Sequence, residues 1–326
     1  MKVSILIGTI IGAGVLSLPY VYSKLGPILA ILLTFLFSLF FILIAIIYSK
    51  IALMYGKHQF PGYVELFFGK KIKYTVLLLL LITLYGTVLS YYIAQANAIY
   101  NLTGIPKYLA ILLSFLLLNL ALIKNIKSVE DFEKANVLIV ISFLITISFY
   151  FLTFYNININ KLFEIHPEHV VYFIGPIIFS LFGLNAIPEL RELISDEKEF
   201  RNTIIIGYLI PTILYILFSL SIVLTHNDIP SIATFLLGPL GYILTYIITF
   251  NPMVSLSYAI KEIYLFDLKL DNELSHVLTV LPPFLISFII NDPKQFVGVL
   301  SIVGWLSFLI SIPLIVVMYL RMRTKR

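Results

Sequence analysis

No cysteine occurs in the 326 residues, which excludes disulfides, thiolate metal sites and a cysteine nucleophile. Charge is scarce as well. Asp, Glu, Lys and Arg make up 12% of the chain against 60% hydrophobic residues, and the mean hydropathy is +1.02. A soluble domain of this length has too little interior to hide that much apolar side chain. Apolar stretches of about 20 residues, long enough to cross a bilayer, recur along the chain instead. No Asp, Glu, Lys, Arg or His falls near the middle of these stretches. The paired carboxylates, metal clusters and activated nucleophiles that an intramembrane protease, prenyl transferase or phosphatase needs are therefore missing at depth. No enzyme, no resident cofactor and no metal site is expected. The five histidines, His58, His166, His169, His226 and His276, fall in loops or at edges. HPEH at 166–169, the nearest approach to a metal motif, reads as a solvated connector.

Ten apolar stretches lie between charged or Pro/Gly-containing breaks: 3–23, 27–49, 74–99, 107–123, 135–155, 170–188, 203–224, 236–260, 274–290 and 296–320. The first could pass for a secretory leader, but only Lys2 precedes it, no A-x-A pattern follows, and further spans continue at once. A retained span is expected. With the N-terminus inside, 18 of the 22 Lys and Arg residues are cytoplasmic, Lys124, Lys127 and Lys134 among them. Lys24, Lys107, Lys161 and Lys294 remain outside. This asymmetry follows the positive-inside rule and explains the net charge of +5 without nucleic acid or any other anionic partner. It predicts a multi-pass protein of the cell membrane with both termini in the cytoplasm. The partners it implies are the lipid bilayer and a small substrate, and no protein partner is indicated.

Sliding the chain on itself by 169 residues puts Gly14 on Gly183, Pro19 on Pro188, Pro61 on Pro230 and Gly69 on Gly238. The segments agree around these points: PGYVELFFG (61–69) with PSIATFLLG (230–238), and, two residues out of step, LSYYI (89–93) with LSYAI (256–260). Each half then holds five spans. An odd number sends the second half in from the opposite side, so the repeat is inverted. The expected fold is an all-α polytopic membrane protein of ten helices in two inverted five-helix repeats. It forms one domain, 1–326, with repeat one over about 1–157 and repeat two over about 170–326. The segments 61–69 and 230–238 read as short amphipathic helices at opposite membrane faces, placed to act in gating.

The matched weak points are IGAGVLSLP in span 1 and SLFGLNAIP in span 6. Glycine lowers the cost of leaving helical geometry, and a proline just inside the following half-helix cannot continue the hydrogen-bond ladder. Unsatisfied N–H and C=O groups at membrane depth are expensive unless protein, water or a ligand completes them. Two matched breaks predict a shared polar cavity. Half-helix N-termini there favour a carboxylate and half-helix C-termini a cation, so a zwitterion suits both. The alternative is that the small residues only let helices pack closely.

These residues resemble a known family. GTIIGAGVLSLPYVYSKLGP is similar to the first span of the amino acid/auxin permease branch of the amino acid–polyamine transporter superfamily, close to tryptophan/tyrosine permeases. The resemblance continues in FPGYVELFFGKK, GTVLSYYIAQAN, FSLFGLNAIPELRELISDEKEFRNTIIIGYLIP and TFNPMVSLSYAIKEIY. It implies the ten-helix inverted-repeat fold shared with sodium-coupled leucine transporters, and ion-coupled amino acid transport by alternating access. It also implies that Ile11, Gly12, Ala13 and Gly14, and likewise Phe182 to Asn185 with Gly183 between, are unwound and touch the substrate backbone. The chain departs from the pattern by stopping after ten spans, by starting at the membrane, from which no tail-based regulation is expected, and by Asn251-Pro252 in span 8.

Other candidates follow from position. Thr9, Ser17, Ser180 and Asn185 flank the breaks and offer hydroxyl or amide groups to substrate, with back-bonding to the helix as the alternative. In span 3, Tyr91 and Gln95 share a face at i, i+4, with Tyr85 a further cavity-wall candidate. Under the resemblance, Thr249 is nearest to the span 8 hydroxyl that coordinates a coupling sodium. Proton-coupled relatives place a lysine in span 5, where this chain has Lys134 only at the edge and Ser142, Thr146 and Ser148 deeper. Sodium or uncoupled exchange is favoured over protons on that ground. PELRELISDEKEFR reads as a solvated connector, apart from Glu189, which could pair in a cytoplasmic gate. A channel or scaffold remains a second class; a channel would more naturally line its pore with polar rings.

Overall fold

All ten apolar stretches fall on helix in a computed structural model of the chain. The structure describes residues 2–123 and 130–324, the side chains of 130–136 excepted. Lys124, Lys127, Lys325 and Arg326, counted in the charge asymmetry, lie outside the described residues, as does the side chain of Lys134. The helices are α1 (Lys2–Ile10), α2 (Gly14–Leu25), α3 (Pro27–Tyr55), α4 (Phe60–Phe68), α5 (Lys70–Thr103), α6 (Lys107–Ile123), α7 (Glu130–Phe154), α8 (Val170–Ser180), α9 (Ala186–Leu193), α10 (Glu197–Val223), α11 (Pro239–Glu262), α12 (Asn272–Ile289) and α13 (Pro293–Thr324). No strand occurs among the described residues.

Seven of these helices are long and apolar enough to cross a membrane: α3, α5, α7, α10, α11 with its π-helical extension Ile263–Asp267, α12 and α13. The pair α1–α2, bent by 54° at its break, makes an eighth if taken as one span. The protein is a multi-pass membrane protein. The described apolar segments are helical because in hydrocarbon only a helix or a closed barrel satisfies every backbone group internally. The large exposed side chains along α3, α5 and α6, such as Leu43, Leu78 and Leu116, belong to lipid-facing stripes.

The helices sort into two groups. In the first, α10 packs on α1, α2, α3 and α7, and α8 and α9 pack on α2, α3 and α1. In the second, α5 packs on α4, α6, α11 and α12. Between them α13 bridges α8, α5 and α3.

One expected element differs. Residues 60–68 form the short helix α4, but 230–238 hold only a 3-10 turn, Ala233–Leu237. Hydroxyls explain the difference: Ser231 Oγ donates to the Pro293 carbonyl at 2.6 Å, and Thr234 and Thr245 share a hydrogen bond at 2.5 Å. These bonds tie the segment to α11 and to the start of α13.

Helices α8 and α13 approach backbone to backbone. A Cβ on Gly304 would meet the carbonyl of Gly175, with its carbon at 2.9 Å, and a Cβ on Gly175 would meet Ser301 Cα at 2.6 Å. Backbone faces backbone there, so no rotamer change relieves an added methyl. Gly304→Val should lower stability by about 1–3 kcal/mol, read as a lower midpoint in thermal unfolding of detergent-purified protein. An unchanged midpoint would mean that α8 and α13 do not approach in this way.

Candidate functional site

Both breaks are real interruptions of the helical ladder, and they share one hydrogen-bond pattern. After α1, the Gly12 N–H bonds Ile10 O at 3.0 Å, then Val15 bonds Gly12 O and Leu16 bonds Ala13 O. After α8, Gly183 bonds Leu181 O at 2.9 Å, then Ala186 bonds Gly183 O and Ile187 bonds Leu184 O. The local pattern therefore pairs Gly12 with Gly183, 171 residues apart, two residues from the register that puts Gly14 on Gly183. The residues at the starts of α2 and α9, Ala13 and Asn185, make no side-chain cap.

The breaks cross over each other. A Cβ on Gly14 would fall on Ser180, the last residue of α8, with Ser180 Cα at 2.9 Å. A Cβ on Gly183 would fall on Ile10, the last residue of α1, with Cγ1 at 2.6 Å. Each half-helix end is thus seated on the other break's glycine. Small size, and not a left-handed backbone, is what these glycines supply, since neither has a positive φ.

Two tyrosines of α10 complete this junction, and neither was singled out from the sequence. The buried Tyr215 hydroxyl lies 2.8 Å from Ile10 O and 3.2 Å from Ser180 O, facing the end carbonyls of both half-helices. The Tyr208 hydroxyl is buried beside the backbone of Gly183 without a hydrogen bond of ordinary geometry. Spaced by seven residues, Tyr208 and Tyr215 lie on one face of α10. That spacing was the available signal, hidden among 21 tyrosines.

The expected residues divide into several groups. Ile11, Ala13 and Gly14 are buried in or beside the first break, and Gly12 is half-buried there. The Tyr91 hydroxyl lies beside the backbone of Ala13 and stands 3.5 Å from where a Cβ on Gly12 would lie, so α5 meets the first break. Gln95, one turn further, is fully buried; its amide nitrogen lies 3.5 Å from Met253 Sδ and its Oε1 has no partner. Phe182 and Gly183 lie in the second break, where Phe182 meets the Phe41 ring edge-on at 5.9 Å and Phe41 stacks on Tyr208. Asn185 is exposed.

Three hydroxyls spend their hydrogens on their own helices: Thr9 to Ile5 O, Ser17 to Gly14 O, and Ser180 to Pro176 O. This is the back-bonding alternative, and it leaves only oxygen lone pairs for other partners. Tyr85 is bonded elsewhere, to the Tyr264 hydroxyl at 2.6 Å and Leu278 O at 2.5 Å. Thr249 is fully buried in α11 and donates to Thr245 O at 2.7 Å.

Charge gathers at the end of the bundle that carries the N-terminus. Lys2 pairs with Glu199 at 2.5 Å and Lys50 with Glu197 at 3.2 Å. Arg191 Nε donates to Ala52 O at 3.2 Å, joining α9 to α3. The run expected to be a solvated connector therefore ties α1, α3, α9 and α10 together. Glu189, exposed on α9, is two residues from Arg191, about half a turn away. On α4, the Glu65 carboxyl is held below its ordinary range chiefly by its hydrogen bond to Lys73. Among the described residues no group of three or more His, Asp or Glu could hold a metal, and His166 lies 3.9 Å from both Glu164 and Glu168 in the HPEH loop.

A bundle of apolar helices, one pair of them bent at a break and a second break crossing the first, is the architecture of a membrane transporter and not of an enzyme. The chain matches the tryptophan/tyrosine permease family over residues 1–234, and it belongs to that family. No curated protein matches it by sequence. In fold it is similar to a manganese transporter of Eremococcus coleocola, solved in complex with an aromatic bis-isothiourea substituted compound. That likeness has a TM-score of 0.65 at 13% identity, covering 98% of this chain and 77% of the other.

The crossed breaks differ in how they tolerate an added methyl. Ser180 Cα is backbone, whereas the Ile10 side chain can turn away. Gly14→Ala should cost about 1–3 kcal/mol of stability and Gly183→Ala less, measured as thermal midpoints in detergent. Equal losses would show that the two contacts are equally rigid.

Proposed function

We propose that the protein is a secondary active transporter that moves an amino acid across the cell membrane by alternating access. The observation that carries this reading is the crossing of the breaks: two half-helix C-termini, α1 and α8, point at one buried place. Their carbonyls and dipoles favour an ammonium group, while the uncapped starts of α2 and α9 favour a carboxylate. A zwitterion supplies both. Substrate contacts are assigned to Ile11, Gly12, Ala13, Gly14, Phe182, Gly183 and Asn185, with Tyr91 and Gln95 from α5. The family's own description concerns tryptophan and tyrosine, and Phe182 already sits among aromatic rings, which supports an aromatic side chain.

Ten spans in two inverted repeats account for the helices when α8 and α9 count as one broken span and α6, with 17 residues, as a short one. With the N-terminus inside, the ion pairs of Lys2 and Lys50 become a closed cytoplasmic gate and Arg191 its brace. Exposed pairs of this kind contribute about 0–1 kcal/mol each, which suits contacts that break in every cycle. Thr249 remains the candidate for a coupling sodium, its oxygen lone pairs uncommitted. Import is the expected direction.

Uptake into proteoliposomes should appear for one or a few of the twenty labelled amino acids, tested under separate sodium and proton gradients. No flux and no binding for any of them would return the protein to the channel or scaffold class. Because the chain lacks cysteine, Asn185→Cys provides a clean probe of the second break. A small thiol reagent should label it, and the transported amino acid should slow labelling severalfold. Labelling at the same rate with and without that amino acid would remove Asn185 from the site.

A further inference from the structure

The carbonyls of Ile10 and Ser180 end the two half-helices α1 and α8, and both lie within hydrogen-bond distance of one hydroxyl, that of Tyr215. The Ile10 carbonyl also accepts from Gly12. Among the described residues no backbone N–H donates to the Ser180 carbonyl. A tyrosine has a single hydrogen to give, so the two carbonyls compete for it, and the shorter contact is to Ile10. The place is fully buried and lies at the negative ends of two helix dipoles. It is thus held by the weakest donor able to occupy it: one neutral O–H where an ammonium group would bring three hydrogens and a charge.

We propose that Tyr215 is a built-in stand-in for the substrate's ammonium group, occupying the Ile10 and Ser180 carbonyls in the empty protein and giving them up when an amino acid enters. The proposal rests on the amino acid reading above and adds to it a cost of binding carried by this chain itself. In the empty state the hydroxyl offers its one hydrogen where the Ser180 carbonyl has no backbone donor among the described residues and the Ile10 carbonyl has only Gly12, which helps the junction stay ordered without a ligand. When the ammonium arrives, the hydroxyl must lose its hydrogen bond. Affinity is lowered by that loss, and release of the substrate is helped because Tyr215 can return. A residue that merely braced the breaks would do the reverse, and its removal would weaken binding.

The test is calorimetric titration of the wild type and Tyr215→Phe with L-tryptophan, L-tyrosine and indole-3-propionate, the last being tryptophan's skeleton without the ammonium group. The variant should bind the amino acids more tightly, by up to about tenfold for one hydrogen bond no longer broken. Its affinity for indole-3-propionate should not rise. In proteoliposomes KM should fall together with kcat, because release slows. Unchanged or weaker amino acid binding by a folded variant overturns the stand-in role while leaving the transporter reading intact. Failure of both amino acids to bind either protein overturns the aromatic amino acid reading and this proposal with it. Should Tyr215→Phe not fold, 3-fluorotyrosine at position 215 in the otherwise unchanged chain gives a second measurement. Its fluorine resonance should move on saturation with L-tryptophan, and a resonance that stays in place as L-tryptophan binds overturns the proposal.

Discussion

A backbone carbonyl that leaves its helix inside a membrane must find a hydrogen-bond donor, and most of what is unusual in this structure answers that requirement. Helices α1 and α8 stop short, at Ile10 and Ser180, and each presents its last carbonyl to the same hydroxyl. Because an unsatisfied group in hydrocarbon costs several kcal/mol, Tyr215 stabilises the junction, above all at the Ser180 carbonyl, which no backbone N–H among the described residues reaches. The crossed glycines follow from it. To bring both ends within reach of one hydroxyl, each end must sit on the other break with no Cβ between them.

This junction lies inside one of two packed groups of helices. The first, built around α10, contains both breaks, and the second, built around α5, touches them through Tyr91. Packed helices can shift against one another only where their contacts are weak or interchangeable. The contacts at the N-terminal end of the first group are ion pairs with partly exposed side chains, which are cheap to break. Those between α8 and α13 are backbone against backbone and are not. The fold is therefore rigid along α8–α13 and loosest where charge gathers.

How much of the site could be read in advance depended on the kind of signal. Gly14 and Gly183 stood out because glycine and proline are few and their positions repeat, and both lie in the junction. The register between the two breaks was less legible: Gly14 falls on Gly183 by sequence, but the bonding pattern matches Gly12 to it. Hydroxyls beside the breaks looked like ligand groups, yet Thr9, Ser17 and Ser180 bond their own helices. A short side chain on a helix reaches the carbonyl three or four residues back more easily than anything across the site. Tyr85 and Tyr91 looked alike on paper; a difference of six residues, more than one and a half turns, sends one to Tyr264 and the other to Ala13.

By itself the sequence determined that this chain is a multi-pass membrane protein, where its apolar helices lie, and which two stretches break, since these depend on composition and on local backbone preference. Family membership was legible for the same reason, the motifs being local runs. Only the tertiary structure decided which tyrosine of 21 faces the two breaks. Tyr215 is 205 residues from Ile10 and 35 from Ser180. No local rule connects three positions that far apart. They meet because α10 packs on α1 and α2 and the chain returns through α8, and that packing selects one hydroxyl out of many chemically identical ones.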